Sequence, residues 1–253
     1  MLTGRGFQIA INRIRLDLLL FQKGLSESRQ KAKALIMAGK VRVNGESVQK
    51  PGTQVRSSSD IAIQEPYPPY VSRGGLKLEA ALDFFSIDVT GRTLLDIGAS
   101  TGGFTDCLLQ RGAKKVIAVD TGYGQLHWKL RQDPRVTVIE RKNARYLTKD
   151  DLMETADGAV IDVSFISLKR IIPPVSKLLY NSSFIVSLIK PQFEVGKQQV
   201  GKGGVVRDPL LHEEVVDNLY GFFQSQGWNV IGHIPSPIWG PKGNREFLIY
   251  VKR

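Results

Sequence analysis

Two carboxylates and three glycines mark the part of this sequence best suited to hold a small ligand. Asp96 lies near the end of an apolar segment and precedes Gly98, Gly102 and Gly103, a pattern that predicts a buried strand, a tight turn and a helix. A second apolar segment ends in Asp120, 24 residues after Asp96. A carboxylate there can accept both hydroxyls of a ribose, so the pattern predicts a nucleoside-binding edge of an α/β sheet.

The spacing of these residues separates two kinds of nucleotide-binding enzyme. The fingerprint of nicotinamide dehydrogenases requires glycine at the position that Ser100 occupies. The order acid-x-Gly-x-x-x-Gly, followed by a strand that ends in an acid, instead resembles the S-adenosylmethionine loop of class I methyltransferases. The alternative is an ordinary strand–helix turn in which Asp96 caps the helix. The resemblance implies S-adenosylmethionine as cofactor, with the methionine part at the loop, the ribose at Asp120 and the adenine between Asn143 and Ala144. The residues it places at the cofactor are Asp96, Gly98, Ala99, Ser100, Gly102, Gly103, Phe104, Asp120, Asn143 and Ala144.

Four further charged residues stand where they could act on a substrate beside such a cofactor. Lys77 lies on the predicted helix before the first strand of the sheet, and Asp162 and Lys190 end the fourth and fifth strands. Glu246 opens the last strand. Because the carboxyl ends of parallel strands meet at the ligand edge, Asp162 and Lys190 are expected to face the cofactor. A ribose hydroxyl is a poor nucleophile, and a lysine can take its proton only if burial or a second cation lowers the lysine pKa below about 10.4.

Alternating strand and helix patterns from residue 71 onward predict the elements that position these side chains. A helix is predicted over 73–85, a long amphipathic helix over 208–226, and strands near 93–99, 114–120, 135–140, 158–165, 183–190, 229–235 and 246–252. Five strand–helix units predict a parallel sheet with both faces covered, and the closing pair of strands predicts an antiparallel last strand. The expected fold class is α/β, with the seven-stranded, Rossmann-like domain typical of class I methyltransferases over residues 71–253.

Residues 1–63 show a different pattern, which predicts a small α+β domain. A short helix is predicted over 15–21 and a second over 27–38, with Ser26 as the expected N-cap and Gly39 as the expected C-terminal cap. Asn44 and Gly45 stand between alternating residues, which predicts a β-hairpin. Three prolines within 64–70 predict an extended, semi-stiff linker.

A resemblance to the RNA-binding module named after ribosomal protein S4 is carried by Arg15-Leu16-Asp17, Ser28-Arg29, Ala34-Leu35-Ile36, Gly39, Val41 and Val43-Asn44-Gly45. The segment 1–12 matches no part of that module. The resemblance implies that basic side chains of this domain contact RNA phosphates, namely Arg15, Arg29, Lys31, Lys33, Lys40 and Arg42. Lys202 and Arg207 belong to a basic, glycine-rich loop over 196–207, for which we expect a mobile clamp on the RNA backbone or, alternatively, a plain surface loop.

The order Lys77, Asp162, Lys190 and Glu246 resembles the tetrad of FtsJ-type RNA ribose 2′-O-methyltransferases. With the stretches 72–77, 190–194 and 201–208, the chain from about residue 13 onward resembles the TlyA, or hemolysin A, family. The resemblance implies methylation of cytidine 2′-hydroxyls in ribosomal RNA, free or in an assembled subunit. It implies that Lys190 accepts the proton, that Asp162 orients the amine and the ribose, and that Lys77 and Glu246 shape the substrate pocket.

The composition favours a nucleic-acid partner and disfavours disulfide-bonded, zinc-binding, membrane and secreted proteins. The formal net charge is +11, and residues 1–66 alone hold 11 Lys and Arg against 5 Asp and Glu. One cysteine excludes an internal disulfide, and one cysteine with three scattered histidines makes a zinc site unfavourable, so no metal is expected. The sequence shows neither a membrane span nor a secretory signal, which favours the cytoplasm. Cys107, on a predicted helix, is expected to be a core thiol.

Two other functions compete with the enzyme. A membrane-damaging protein is the first, following the name hemolysin, although the sequence offers no long cationic apolar helix. A non-catalytic RNA-binding factor in ribosome assembly is the second. Only the enzyme hypothesis predicts that replacing Lys190 by alanine preserves cofactor binding and abolishes methyl transfer.

Overall fold

The computed structural model describes residues 12–63 and 69–253 and divides the chain into two compact units, 1–67 and 68–253. Residues 1–11 and 64–68, which include most of the predicted linker, lie outside the described residues. Tyr70, at the end of that predicted linker, is buried in the core of the second unit, where its hydroxyl donates to Glu79 at 2.7 Å.

The first unit combines two helices with two small sheets around one apolar core. Helices α1 (Leu16–Gln22) and α2 (Arg29–Met37) pack on the antiparallel pair β1 (Arg13–Arg15) and β4 (Gln54–Arg56) and on a second sheet, in which β2 (Val41–Val43) lies between β3 (Glu46–Ser47) and β5 (Ile61–Ile63). Leu16, Leu20, Ile36 and Val41 are fully buried in this core. The hairpin predicted at Asn44 and Gly45 is present, since both residues have positive φ and join β2 to β3.

Helix α2 begins two residues later than expected, and the predicted N-cap at Ser26 is wrong. Ser28 is the last extended residue, and its hydroxyl oxygen accepts the Lys31 backbone N–H at 3.2 Å. The Ser26 hydroxyl instead donates to the Ser28 carbonyl at 3.0 Å. The predicted C-terminal signal is confirmed, because Gly39 has φ +70° and its N–H donates to the Ile36 carbonyl at 3.0 Å.

Replacing Ser28 by alanine is expected to destabilise α2 by about 1 kcal/mol, because the first turn loses the acceptor for an N–H that no carbonyl of the helix can reach. Hydrogen exchange at the Lys31 amide of the full chain measures the effect. Ser26→Ala is the matched control and should change that exchange rate little. Equal acceleration in the two variants would contradict the assignment of the cap.

The second unit is built on one mixed sheet of seven strands in the part of the chain that the structure describes. The strands are β6 (Thr93–Ile97), β7 (Lys115–Val119), β8 (Val136–Ile139), β9 (Ala156–Ile161), β10 (Leu179–Ile189), β11 (Asn229–Pro235) and β12 (Phe247–Lys252). Their spatial order is β11-β12-β10-β9-β6-β7-β8, and β12 is antiparallel to both of its neighbours. The predicted fold class and the predicted closing hairpin are therefore confirmed.

Helices cover both faces of this sheet. They are α3 (Gly74–Phe84), α4 (Gly103–Gln110), α5 (Trp128–Arg131), α6 (Lys149–Leu152), α7 (Leu168–Ser176), α8 (Pro191–Glu194) and α9 (Pro209–Ser225), with short 3₁₀ turns at Ala144–Tyr146, Lys197–Gln199 and Pro241–Gly243. One core contains Ile117, Ile161 and Phe223, and the core on the other face contains Leu78 and Leu108. Because both faces are covered, the central strands are buried without alternation, as in β6, whose five residues are all buried.

The strand register brings the functional candidates to one edge. Ile97 of β6 pairs with Val119 on one side and with Ile161 on the other. The residues that follow these strands, which include Gly98, Asp120 and Asp162, therefore lie at the same carboxyl edge of the sheet.

Candidate active site

The turn after β6 has the backbone that its glycines predict. Gly98 and Gly102 have φ values of +85° and +96°, and α4 begins at Gly103. The Gly98 and Ala99 N–H groups both donate to the Val119 carbonyl, which fastens the turn to the neighbouring strand. Ser100 also adopts a positive φ, of +49°, which is uncommon outside glycine.

The same glycines are demanded by the protein's own packing. A Cβ on Gly98 would lie 2.5 Å from the Asp162 carbonyl oxygen, and a Cβ on Gly103 would lie 2.3 Å from the Ser72 hydroxyl oxygen. A Cβ on Gly102 would lie 2.2 Å from a Leu130 methyl group. These glycines are therefore needed for packing within this unit as well as for close approach to a ligand, because each lets two segments of the unit meet.

Asp96 is a fully buried carboxylate directly beneath the turn. Its Oδ2 accepts the Thr105 hydroxyl at 2.6 Å, and its Oδ1 has no hydrogen-bond partner among the residues that the structure describes. Burial is the main cause that raises the pKa of Asp96 to about 7, and the charges of Asp162 and Asp120 act in the same direction. A cation placed at this edge would reduce the cost of ionising Asp96.

Asp120 holds the turn from the other side. Its two oxygens accept the Ser100 N–H at 2.8 Å and the Gly122 N–H at 2.7 Å. These two bonds orient the carboxylate, and each oxygen keeps a second lone pair for another donor.

Two cavities open along this edge. The first, of about 410 Å³, is termed the lysine cavity because Lys77 lines it together with Asp162 and Trp239. The second, of about 480 Å³, is termed the Asp120 cavity and is also lined by Asn143, Ala144 and Phe165. Gly98, Ser100 and Asp162 line both cavities, so the two form neighbouring parts of one groove.

The predicted cofactor residues divide between this groove and the layer beneath it. Ala99, Gly103 and Phe104 line the lysine cavity, and Asp120, Asn143 and Ala144 line the Asp120 cavity. Asp96 and Gly102 are buried below the turn, where Gly102 packs against Leu126 and Leu130.

Lys77 and Glu246 form a buried ion pair across the fold. The Lys77 ammonium donates to Glu246 Oε2 at 2.6 Å, and the two side chains are 9% and 0% exposed. Lys77 comes from α3 and Glu246 from the position just before β12, 169 positions apart. Glu246 Oε1 is buried and has no hydrogen-bond partner within residues 12–63 and 69–253.

Lys190 and Asp162 form the second ion pair, where β9 and β10 end. The Lys190 nitrogen lies 2.6 Å from Asp162 Oδ1 and donates to the Ser164 hydroxyl oxygen at 2.9 Å. Asp162 Oδ1 contacts the ammonium as an ion pair without the angles of a hydrogen bond. Lys190 is 10% exposed and Asp162 is 23% exposed, so the pair is open to the groove through Asp162.

Glu194 secures the segment that carries Lys190. It accepts the Ser167 hydroxyl at 2.6 Å and the Leu168 N–H at 2.8 Å, at the first turn of α7. Burial raises the pKa of Glu194, against the effect of these two donors. The short helix α8 is thereby tied to the loop that contains Ser164.

The predicted RNA contacts of the first unit include one preformed pair. Arg15 and Arg29 both bind the buried carboxylate of Asp17, at 3.0 and 3.2 Å, and their side chains remain 45% and 49% exposed. The hydrogen bond from Arg15 holds the pKa of Asp17 at about 2. Lys31 pairs with Glu27, Arg42 donates to the Gly45 carbonyl, and Lys33 is exposed on α2, whereas Lys40 is half-buried.

The glycine-rich loop of the second unit is anchored at its far end. The Asn244 side chain donates to the Gly204 carbonyl at 3.0 Å and accepts the Val206 N–H at 3.2 Å. Val206 is buried, whereas Lys202 and Arg207 are exposed on either side of it. These contacts anchor the turn around 201–206, and the clamp on the RNA backbone stays a prediction.

Several lining residues were not singled out by the sequence. Ser72 and Arg73 in the lysine cavity, and Ser164 and Phe165 in the Asp120 cavity, are sequence neighbours of residues that were, and this proximity was their only signal. Trp239 had no local signal, because it lies in the loop between the two closing strands.

Further observations concern a thiol, metals and membranes. Cys107 is fully buried, as predicted, and burial raises the pKa of its thiol to about 12. Within residues 12–63 and 69–253, no group of three or more His, Cys, Asp or Glu side chains is arranged to hold a metal ion. In the same ranges, no helix has both the length and the apolar character needed to cross a bilayer.

Comparison with protein families agrees with both units. Residues 70–253 match the family of FtsJ-like methyltransferases, and residues 14–61 match the S4 domain. The chain is thus an FtsJ-like methyltransferase that carries an S4 domain.

Comparison with individual relatives identifies the family more closely. The 16S/23S rRNA (cytidine-2′-O)-methyltransferase TlyA of Mycobacterium tuberculosis is 48% identical over 95% of this chain and 90% of its own length. Hemolysin A of Brachyspira hyodysenteriae is 44% identical over 94% of this chain and 99% of its own. A solved structure of a hemolysin-named protein from Streptococcus thermophilus is 45% identical, covers 96% of this chain and 90% of that one, and superposes with a TM-score of 0.75. The chain belongs to the TlyA family of FtsJ-like methyltransferases.

The raised pKa of Asp96 predicts a pH-dependent stability of the protein without ligand. The folded-state pKa of about 7 lies above the unfolded value near 4, so the folded state binds the extra proton between these pH values. The stability that this proton contributes is present below pH 4 and is lost as the pH rises to 7, by about 1.4 kcal/mol per pH unit.

Asp96→Asn is expected to remove this dependence, because asparagine does not titrate. Calorimetric unfolding of the two proteins between pH 4.5 and 8 gives the difference in unfolding free energy. The unfolding free energy of the native chain minus that of the variant should decline with rising pH and level off above pH 7. A constant difference would contradict a buried carboxyl with a raised pKa.

Proposed function

We propose that this protein transfers the methyl group of S-adenosylmethionine to the 2′-hydroxyl of a cytidine in ribosomal RNA. The observation that carries the proposal is the pair of lysine–carboxylate ion pairs beside a glycine turn at one sheet edge. The name of the Mycobacterium tuberculosis relative describes that protein as acting on cytidine of 16S and 23S rRNA, and it supports the same substrate here.

The residues of the groove fit a cationic nucleoside as cofactor. Among the described residues, Asp96 Oδ1 is buried without a hydrogen-bond partner. Asp96 and Asp120 lie at this edge in addition to Asp162, which Lys190 already pairs, and this favours a ligand with positive charge. Asp120 would hold the ribose, Asn143 and Ala144 the adenine, and the 98–104 turn the methionine part. S-adenosylmethionine, when bound, supplies a methyl group activated by a sulfonium.

Lys190 is the residue that we propose to accept the proton of the ribose hydroxyl. Asp162 and Ser164 hold its nitrogen from two sides, which fixes the direction in which it meets a substrate. Holding the hydroxyl in line with the methyl group supplies much of the remaining rate enhancement.

Lys77 and Glu246 are proposed to shape the pocket and its electrostatics. The Lys77 cation lines the lysine cavity, and the fully buried Glu246 compensates its charge from behind. A positive charge held at this place stabilises a developing oxyanion on the sugar.

RNA is proposed to bind both units through their basic side chains. Arg15 and Arg29, oriented by Asp17, would form a fixed pair of guanidinium groups for phosphate on the first unit. Lys202 and Arg207 would contact the RNA backbone on the second unit. The assembled ribosomal subunit as the form of the substrate, and the cytoplasm as the location, belong to this proposal.

The function is tested by incubating the purified protein with methyl-labelled S-adenosylmethionine and separated ribosomal subunits that lack the modification. Label should enter one cytidine of the RNA, at its ribose. Because a 2′-O-methyl group blocks the attack of that oxygen on the adjoining 3′ phosphodiester, the labelled nucleotide should stay joined to its 3′ neighbour when the RNA is hydrolysed by base. Label on a base would redirect the chemistry. RNA binding without label would favour an assembly factor, and leakage of liposomes by the pure protein would favour a membrane-active role.

Lys190→Ala is expected to lower the rate of methyl transfer by about 10²- to 10⁴-fold, the usual contribution of a general base, with cofactor affinity unchanged. Lys190→Arg keeps the positive charge but cannot release its proton at ordinary pH, so it should be nearly as inactive. Single-turnover transfer and calorimetric cofactor binding measure the two effects. Activity retained in Lys190→Arg would assign Lys190 a purely electrostatic role.

Lys33→Ala is expected to weaken RNA binding and to reduce the slope of log affinity against log salt by about 1, because one phosphate contact is lost. Lys114→Ala, which removes an equally exposed lysine on the second unit, is the control and should leave the slope unchanged. Filter binding to the RNA substrate at several salt concentrations compares them. Equal slopes for all three proteins would remove Lys33 from the RNA surface.

A further inference from the structure

Trp239 is an exposed aromatic side chain at the cavity where the reaction is proposed to occur. It lines the lysine cavity together with Lys77 and Asp162, and its side chain is 60% exposed. An indole that stays largely in water does not contribute the stabilisation that its burial in a core would give. Its exposure at a cavity with two of the four proposed catalytic residues therefore indicates a binding role.

The loop that carries Trp239 is held rigidly at both ends. The Ser236 N–H donates to the Glu246 carbonyl at 2.8 Å, and the Gly240 N–H donates to the Asn244 carbonyl at 2.9 Å. A Cβ on Gly240 would lie 2.2 Å from Glu246 Oε1, so the loop packs directly on the buried carboxylate. The position of the indole is thereby coupled to the Lys77–Glu246 pair.

One cation lies at the indole. The Arg245 guanidinium is 5.2 Å from the centre of the Trp239 ring, as a cation–π contact. Asn244 binds both this loop, at the Pro241 carbonyl, and the turn that carries Lys202 and Arg207. The loop of Trp239 and the turn with these basic side chains are therefore joined through one asparagine.

An aromatic platform within a positively charged surface is what single-stranded nucleic acid requires. Bases stack on the flat ring, and phosphates bind the cations on either side. An apolar peptide would make no favourable contact with the basic side chains, and a free anion would make none with the indole.

We propose that Trp239 stacks on a base of the RNA strand within one nucleotide of the ribose that is methylated. This inference rests on the proposed function and adds the place of the substrate base. The adenine of the cofactor is assigned to the Asp120 cavity, so the indole is left for the RNA. Stacking there holds the ribose over Lys77 and Asp162, and Trp239 acts as a positioning residue for the transfer.

Kinetics with the RNA substrate test the role. Trp239→Ala should raise KM for RNA by about 5- to 150-fold, the loss of one stacked base, while cofactor affinity stays unchanged. Trp239→Phe keeps a ring and should recover most of the loss. Trp128→Ala is the matched control, since Trp128 is 67% exposed on α5 and lines neither cavity.

Fluorescence provides a second measurement that does not depend on activity. In a Trp128→Phe background the remaining tryptophans are Trp239 and Trp228, which is only 2% exposed. A ten-residue oligocytidylate should quench the Trp239 emission, and an abasic oligomer of equal length should bind without quenching. Base stacking predicts this difference, because only the base can contact the ring.

The outcomes separate failure of the inference from failure of the function. If the native protein methylates a ribose and Trp239→Ala keeps the KM of Trp128→Ala, or if oligocytidylate and the abasic oligomer quench equally, the stacking site is refuted. The same holds if Trp239→Ala loses cofactor affinity, which would place the indole on the cofactor. If the native protein transfers no methyl group to ribose, the proposed function is refuted instead.

Discussion

The buried ion pair between Lys77 and Glu246 is the constraint on which the rest of the catalytic unit depends. A lysine ammonium or a carboxylate that is nearly excluded from water costs several kcal/mol unless an opposite charge lies beside it. The two partners stand 169 positions apart, on the first helix and the last strand of this unit. The charges can therefore be buried together only when the sheet has closed. Gly240, packed on the same carboxylate, and the loop that bears Trp239 depend on this pair in turn.

The carboxyl edge of the sheet is arranged at a cost to stability. Asp96 is fully buried, and one of its oxygens has no partner among the described residues. Its raised pKa reflects mainly the cost of ionising a buried carboxyl, with a smaller contribution from two nearby carboxylates. Two residues that line the groove, Ser100 and Phe165, adopt positive φ values without being glycine. Strain and uncompensated charge of this kind concentrate at binding sites, where a ligand can offset them. The proposed cationic cofactor would do so.

The two units divide the work expected of an RNA-modifying enzyme. The first unit has its own apolar core. Its Arg15 and Arg29 both pair with one buried aspartate, an arrangement that suits the binding of phosphate and not catalysis. The second unit holds the groove and the surface around Trp239. Tethering a binding unit to a catalytic one raises the local concentration of substrate without adding a contact at the reacting atoms.

The sequence by itself determined the elements and named candidate site residues whose roles stay predictions. Apolar periodicity, the Asn44-Gly45 turn and the glycines after Asp96 are local signals, because they act through neighbouring residues, and the strands and hairpin they predicted are present. Only the tertiary structure decided which lysine pairs with which acid, since ion pairs across the fold leave no trace in local spacing. It also showed that Ser28, and not Ser26, caps α2 and that Trp239 lies at the lysine cavity. Packing between segments determines these features, and the order of residues along the chain does not give the distances between those segments.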